Sequence, residues 1–231
     1  MNRELKKIEA AIFDLDGVLV DSERVHHEVW QEVIREFGGG KITNKQFSKL
    51  IGHHGSVVSK WAVKEFGLSA DPERISNYKR AKVKRELAKR VTARTGAREF
   101  LQKIHGKVKT GVASTSRPAY VRMVLRKTEL AKYIDEAVGR ERGFRSKPAP
   151  DIYLAAARRL GVKPVNCLAF EDTCPGARAA KAAGMKLVVV THRYTHDHHF
   201  KGAKLRVRSW RSPKLGKLAR ELAGGRGAEL L

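Results

Sequence analysis

Short apolar runs alternate with amphipathic segments through the second half of the chain, and this alternation restricts the possible folds more than any other feature. Predicted strands and helices follow one another in the order 108–113, 118–127, 136–138, 150–160, 167–170, 175–183 and 186–190. Such strand–helix–strand repeats are typical of parallel sheets with helices on both faces. The sequence therefore predicts an α/β fold with a Rossmann-like parallel sheet.

A different pattern interrupts this rhythm near the N-terminus. Residues 8–13 form a predicted strand, but from about residue 23 to 91 apolar residues recur at helical spacing. An inserted all-helical domain accounts for this change of period. We therefore expect a core domain formed by residues 1–22 and 94–231 and a helical cap domain formed by residues 23–93.

Composition and charge limit the classes of protein to be considered. Hydrophobic residues make up 42% of the 231-residue chain, as in folded globular proteins, and no apolar run is long enough to cross a bilayer. The formal net charge of +24 favours anionic partners, but it attracts phosphorylated metabolites and nucleic acid alike. No signal-peptide pattern is present at the start, so we expect a cytoplasmic protein, and nothing in the chain requires more than a monomer.

Polar side chains follow several predicted strands, at the point where each strand ends. In open parallel sheets, ligands bind at the carboxyl ends of the strands. The residues at or near these ends are Asp14, Asp16, Ser114, Thr115, Lys147, Glu171 and Asp172. We expect them to line one crevice.

The chemistry of this set indicates phosphoryl transfer. Four acids in one crevice repel one another unless a cation is bound, and oxygen ligands without His or Cys suit Mg²⁺. Ser114 and Lys147 supply a hydroxyl and a positive charge for a phosphate. Asp14 is then able to attack phosphorus, and Asp16, two residues further on, is able to protonate the leaving oxygen.

Four ordered motifs resemble those of the haloacid dehalogenase superfamily. They are Asp14-Leu-Asp-Gly-Val-Leu-Val-Asp-Ser, then Ser114, then Lys147-Pro-Ala-Pro-Asp, then Glu171-Asp-Thr. The resemblance is to the group containing β-phosphoglucomutase and phosphoglycolate phosphatase, and it covers about residues 8–222. It implies the family's Rossmann-like core, a helical cap inserted after the first motif, and Mg²⁺ as cofactor.

The same resemblance implies catalytic roles for the crevice residues. Asp14 is the expected nucleophile and Asp16 the expected general acid and base. Ser114 and Lys147 are expected to hold the phosphoryl group, and Thr115 is expected to bind substrate beside them.

Magnesium ligands also follow from the resemblance. The expected ligands are the carboxylates of Asp14 and Asp172 and the backbone oxygen of Asp16. Glu171 is expected to coordinate either directly or through water.

Three residues of the helical segment are candidate substrate ligands. His26 falls where the mutases carry a histidine, Arg80 falls near their cap lysine, and His53 lies in the cap loop used for substrate selection. A polar helix face is the alternative for His26, and a solvent-exposed turn is the alternative for His53. The cap loop of residues 51–56 lacks the arginine of the mutases, which favours hydrolysis over isomerisation.

The expected function is a magnesium-dependent phosphatase that hydrolyses a small phosphorylated metabolite, of the sugar phosphate or phosphoglycolate type, through an aspartyl phosphate. An intramolecular phosphomutase is the main alternative. A basic nucleic-acid-binding protein with a vestigial site is a further alternative, suggested by the basic run at 79–85, although a solvated helix face accounts for that run better.

A histidine-rich segment follows the last predicted strand. His192, His196, His198 and His199, together with Asp197, suggest a nickel or zinc site. Their irregular spacing favours a histidine-rich surface loop instead.

Overall fold

The structure is a computed structural model that describes residues 8–53 and 55–224. Two compact units divide the chain: the first runs up to Val20 and resumes at Thr92, and the second is Asp21–Val91. Within the described residues, no helix has the length and apolar character needed to span a membrane.

A parallel six-stranded sheet forms the centre of the first unit, which confirms the predicted α/β class. Its spatial order is β3-β2-β1-β4-β5-β6. The strands are β1 (Ala10–Phe13), β2 (Lys109–Ala113), β3 (Glu136–Val138), β4 (Cys167–Glu171), β5 (Lys186–Val190) and β6 (Leu205–Val207). The edge strand β6 is not among the predicted elements.

Helices connect the strands of the first unit and make up the second. In chain order they are α1 (Glu23–Glu36), α2 (Asn44–Ser48), α3 (Gly55–Phe66), α4 (Pro72–Arg90), α5 (Ala97–Ile104), α6 (Pro118–Lys127), α7 (Asp151–Leu160), α8 (Cys174–Ala182) and α9 (Pro213–Ala223). The first four belong to the second unit, and the others belong to the first.

The order of the strands puts β1 at the point where the chain changes direction across the sheet. Strands β2 and β3 lie on one side of it, and β4, β5 and β6 lie on the other. Phe13 is in register with Phe170 of β4, and the next backbone N–H, that of Asp14, donates to the Phe170 carbonyl at 2.9 Å. The carboxyl ends of β1 and β4 therefore meet at the position where open α/β sheets bind ligands.

A cluster of aromatic side chains supports this end of the sheet. Phe13 stacks on Phe170 with ring centroids 4.6 Å apart, and Trp210 stacks on Phe170 at 5.5 Å. The Trp210 indole N–H also donates to the Val18 carbonyl at 2.8 Å. Because burial of one such side chain contributes about 2 kcal/mol, this cluster holds the loop after β1 in place.

The two ends of the inserted unit meet within the first unit. Val20, where the chain leaves the first unit, forms an antiparallel bridge with Ala93, just after the chain returns. The Arg94 N–H donates to the Leu19 carbonyl at 2.8 Å. The outgoing and returning chains therefore lie side by side.

Ion pairs within the second unit join its basic helix α4 to α1. Lys82 lies 2.9 Å from Glu32 of α1, and Arg90 pairs with Glu28 of the same helix. These cations serve a helix–helix contact and, while so paired, have part of their charge neutralised. Of these two cations, Lys82 belongs to the basic run at 79–85, so part of that run is paired within the unit, as is usual for a solvated helix face.

Candidate active site

Lys147 joins two acidic residues at the carboxyl ends of β1 and β4. Its ammonium donates to Asp14 Oδ1 at 2.5 Å and to Glu171 Oε1 at 2.6 Å, and it also donates to the Ala113 carbonyl at 3.3 Å. The Lys147 side chain is only 8% exposed, and that of Glu171 is fully buried. The loop after β3 thus brings a lysine 133 residues away in sequence into direct contact with Asp14.

Burial and charge give the two carboxyl groups different pKa values. Burial raises the pKa of Asp14 well above its usual range; Lys147 opposes this effect, and the neighbouring carboxylates add to it. Burial also acts to raise the pKa of Glu171, but the charge and hydrogen bond of Lys147, together with hydrogen bonds from the Thr173 backbone and from Tyr153, hold that pKa below its ordinary value. Glu171 therefore carries a negative charge that makes ionisation of Asp14 more costly.

Glu171 is fixed in one position by its surroundings. The Tyr153 hydroxyl donates to its Oε1 at 2.8 Å, and the backbone N–H groups of Asp172 and Thr173 donate to its Oε2 at 3.0 and 3.1 Å. A Cβ at Gly176 would lie 1.8 Å from Oε1, so only glycine leaves room for this carboxylate. The start of α8 is thereby packed directly against the acid.

Asp16 contacts the segment that follows β2. The Tyr120 hydroxyl donates to its Oδ1 at 3.0 Å, and the Ser116 hydroxyl donates to its Oδ2 at 3.2 Å. Asp16 is half-buried, whereas Asp14 is only 8% exposed. The two acids, two residues apart, therefore have different partners and different access to solvent.

Ser114 and Thr115 lie directly after β2 and before α6. Ser114 is buried, and its Oγ accepts from the Ser116 N–H at 3.1 Å, while Thr115 is exposed. The N-cap residue of α6, Arg117, makes no side-chain cap to the first turn. α6 opens with Pro118, which has no N–H, and the N–H groups of Tyr120 and Val121 donate to the Arg117 carbonyl at 2.9 and 3.1 Å.

Asp172, the residue after β4, is fully buried beside Gly17 of the loop after β1. His192 Nε2 lies 2.8 Å from its Oδ2, whereas its Oδ1 has no hydrogen-bond partner within the described part of the chain. Burial and the nearby Glu171 carboxylate raise the pKa of Asp172 well above its ordinary value, although Arg94 and Lys147 oppose them.

The interpretation of the histidine-rich segment as a surface loop is wrong for His192. Its side chain is 12% exposed and turned towards Asp172, whereas Asp197 of the same segment is 84% exposed. In the described ranges, no three His, Cys, Asp or Glu side chains are grouped so as to hold a metal ion, so the nickel or zinc interpretation gains no support.

A hard divalent cation nevertheless fits the donors next to Asp14. A site made of two carboxylates and one backbone carbonyl does not need three acidic side chains, and Mg²⁺ commonly takes only one or two protein carboxylates. Asp172 Oδ1 is a buried acceptor without a partner among the described residues, and the buried acids outnumber the contacting lysine. A bound cation would offset both features.

The candidate substrate ligands of the second unit have different surroundings. His26 Nδ1 lies 2.9 Å from the Lys79 ammonium, and burial, followed by the charge of Lys79, lowers the pKa of His26 well below its usual range. A solvent-facing position for His26 is therefore wrong. Arg80 is exposed and donates to Asn77 Oδ1 at 2.7 Å, and His53 is also exposed.

Several residues at the site do not follow from the sequence motifs. Tyr120, Tyr153 and His192 contact the acids directly, and Arg94 donates to the backbone carbonyls of both Gly17 and Thr191, at 2.6 and 2.9 Å. The sequence singles out His192 only as a member of the histidine-rich segment, and no motif signals the other three, because each reaches the site through its place on a helix or loop.

Comparison with known proteins places these features in a family. The sequence pattern of the haloacid dehalogenase-like hydrolases matches residues 11–190. The chain is 32% identical over 213 residues to the protein named putative phosphatase YhcW of Bacillus subtilis (strain 168), covering 91% of this chain and 96% of that one. It is 31% identical over 182 residues to fructose-1-phosphate phosphatase YqaB of Escherichia coli (strain K12), covering 78% and 94%.

A solved structure is similar over almost the same length. The crystal structure of a putative β-phosphoglucomutase from Thermotoga maritima superposes with a TM-score of 0.70 at 26% identity, covering 94% of this chain and 97% of that one. Together with the match over residues 11–190, this likeness agrees with the motifs and with the fold. The chain belongs to the haloacid dehalogenase-like hydrolases.

Proposed function

We propose that the protein is a magnesium-dependent phosphatase that hydrolyses a small phosphorylated metabolite, of the sugar phosphate or phosphoglycolate type, through an aspartyl phosphate on Asp14. The contact between Lys147 and Asp14 at the carboxyl end of β1 carries the proposal, because it pairs a buried acid with the cation that an incoming phosphate needs. Relatives named as phosphatases support the same activity.

Asp14 acts as the nucleophile in this proposal. Its carboxylate attacks phosphorus, and the bond from phosphorus to the ester oxygen breaks. Lys147 lies against the attacking group and places positive charge where the phosphate oxygens arrive. The Ser114 hydroxyl holds the phosphoryl group from the β2 side.

Asp16 acts as the general acid and base. It gives its proton to the leaving oxygen, then takes a proton from the water that attacks the aspartyl phosphate, so that inorganic phosphate and free Asp14 result. Hydrogen bonds from Tyr120 and Ser116 set the orientation of the Asp16 carboxyl group.

Mg²⁺ is the cofactor that these donors suit. Asp14, Asp172 and the backbone oxygen of Asp16 would hold it. Both oxygens of Glu171 already accept hydrogen bonds from Lys147, Tyr153 and the Thr173 segment, which favours coordination through water over direct coordination. When bound, it supplies positive charge that neutralises the phosphate and favours the ionised form of the buried acids. The substrate-binding roles of Thr115, His26, His53 and Arg80 stay predictions.

Phosphate release by the full chain tests the proposal. The substrates are a panel of sugar phosphates, phosphoglycolate and nucleoside monophosphates, each with Mg²⁺ and with EDTA. We expect Mg²⁺-dependent release of phosphate that is lost in Asp14→Asn and kept in Asp197→Asn, a matched change at a residue that is 84% exposed. Turnover by Asp14→Asn at the wild-type rate would exclude Asp14 as the nucleophile.

Two other outcomes would replace this proposal. Isomerisation of a sugar phosphate with little free phosphate would favour a phosphomutase, in line with the structural likeness to a putative β-phosphoglucomutase. Absence of turnover on every substrate, together with tight and salt-sensitive RNA binding, would favour a nucleic-acid-binding protein.

A further inference from the structure

A histidine outside the four motifs contacts one of the proposed magnesium ligands. We infer that His192 is a positioning residue, whose Nε2–H holds one oxygen of Asp172 so that the other is presented to the cation. This inference rests on the proposed function, since it concerns the metal site of that activity. Its basis is the contrast between the two oxygens of Asp172: Oδ2 lies 2.8 Å from His192 Nε2, and Oδ1 is buried without a partner in the described residues.

The loop after β5 fixes the histidine ring from several sides. The His192 backbone N–H donates to the Thr195 hydroxyl at 3.2 Å, and its carbonyl accepts from the Thr195 N–H at 3.0 Å. The ring stands nearly perpendicular to that of Tyr194, at 75° with centroids 5.8 Å apart. Thr195 is fully buried and Tyr194 is 4% exposed, so this support is rigid.

A backbone hydrogen bond selects the tautomer of His192. The N–H of Tyr194 points at Nδ1 from 3.3 Å, so Nδ1 must be the acceptor and Nε2 must carry the hydrogen. An Nε2–H donor facing Oδ2 fixes the Asp172 carboxylate without occupying Oδ1. Outer partners of metal ligands commonly act in this way.

Arg94 ties the histidine loop to the loop that carries Asp16. Its guanidinium donates to the carbonyls of Gly17, Val190 and Thr191 at 2.6, 3.1 and 2.9 Å. Gly17 completes the contact, because a Cβ there would lie 2.3 Å from Asp172 Oδ2 and 3.1 Å from His192 Nε2. The histidine, the aspartate and the backbone after Asp16 therefore form one packed unit.

Metal binding to the substrate-free protein tests the inference. Mn²⁺ serves as a paramagnetic stand-in for Mg²⁺, with free Mn²⁺ measured by electron paramagnetic resonance and Mg²⁺ used as competitor. We expect His192→Leu to raise the Kd for both ions by about tenfold or more, as is usual when an outer partner is lost. His192→Gln, which keeps an N–H donor at the position of Nε2, should recover most of this affinity.

The control is His199→Leu, a matched change at an exposed histidine of the same segment, and it should leave the Kd unchanged. Far-UV circular dichroism checks folding. If His192→Leu does not fold, His192→Gln is compared with His192→Asn, whose side chain is too short to place its N–H at the position of Nε2. Wild-type affinity in His192→Leu, or in His192→Asn where that variant must serve, would overturn the positioning role while leaving the phosphatase proposal intact. Failure of the wild-type protein to bind either ion would instead overturn the metal dependence of the proposed function, and the role of His192 with it.

Discussion

Replacing Lys147 with methionine is expected to destabilise the metal-free protein by about 3–5 kcal/mol, the usual cost of removing one partner from a buried ion pair. The Lys147 ammonium lies 2.5 Å from Asp14 Oδ1 and 2.6 Å from Glu171 Oε1. At an effective dielectric constant of about 20, each separation corresponds to roughly 6 kcal/mol of attraction, most of which offsets desolvation. Methionine fills a similar volume but leaves both carboxylates without their cation.

The loss of stability is expected to grow with pH. In wild-type protein the pKa of Glu171 lies below its ordinary value, so Glu171 contributes stability above pH of about 4 and loses it as the pH falls through the folded-state pKa. Without Lys147, burial raises the pKa of Glu171 and raises that of Asp14 further. The folded variant then binds more protons than the unfolded chain, and its stability falls as the pH rises.

Urea unfolding in EDTA at pH 5 and pH 8, followed by circular dichroism, measures both effects. Lys103→Met, the same change at an exposed lysine, should be nearly neutral. The double variant Asp14→Asn/Lys147→Met should be more stable than Lys147→Met alone, because one unpaired carboxylate has been removed. A loss below about 1 kcal/mol at pH 8 with an unchanged m value would refute the reasoning.

Three other predictions concern the surroundings of the acids. In Gly17→Ala, the added Cβ sits on a backbone with φ of +81° and lies 2.3 Å from Asp172 Oδ2, so the substitution should lower stability in thermal unfolding by about 1–3 kcal/mol. Gly40→Ala, where no atom lies within 4 Å of the added Cβ, is the control. Equal melting temperatures for the two variants would contradict the steric argument. Tyr120→Phe removes the 3.0 Å hydrogen bond to Asp16 and should lower kcat by up to about tenfold with little change in KM, so an unaltered kcat in steady-state assays would exclude an orienting role. Because burial raises the pKa values of Asp14 and Asp172, the metal-free protein should lose stability from about pH 4 upward. Mg²⁺ should therefore raise the Tm more at pH 8 than at pH 5, and equal shifts in calorimetry would contradict this prediction.

The alternation of strands and helices in the second half of the chain is the part of the fold that the sequence predicts best. β5 has the predicted bounds, since its apolar run marks a strand that is covered on both faces, and the three-residue edge strand β3 also has the predicted bounds. β6 escapes prediction because it has only three residues and exposes Arg206 between Leu205 and Val207. β3 is an equally short edge strand, but it continues the alternation of strands and helices, whereas β6 follows β5 without an intervening helix.

Residues that follow a strand are easier to place at the site than residues on helices. The strand ends predict that Asp14, Lys147 and Glu171 lie together, and the structure has them in direct contact. Neighbouring residues on a helix point about 100° apart, so the choice between Lys79 and Arg80 requires the exact phase of α4. The Lys79 ammonium lies 2.9 Å from His26 Nδ1, whereas Arg80 donates to Asn77.

The contribution of His192 depends on a loop whose path the sequence does not specify. The four histidines of the histidine-rich segment cannot be distinguished in the sequence, and their spacing matches neither a helix nor a strand. The hydrogen bonds to Tyr194 and Thr195 distinguish His192 from the others, and those contacts exist only once the loop has folded. Sequence alone therefore cannot select it.

The bridge between Val20 and Ala93 has a consequence for how this architecture can diversify. Because the outgoing and returning chains are already adjacent, closing the inserted segment imposes almost no span on it, and lengthening such a segment adds only about 0.6 kcal/mol for each doubling. Insertions of quite different size and composition can be spliced at this junction while the strands that carry Asp14 and Glu171 keep their register. The junction therefore allows the inserted helices to be replaced while the residues at the carboxyl ends of the strands stay in place.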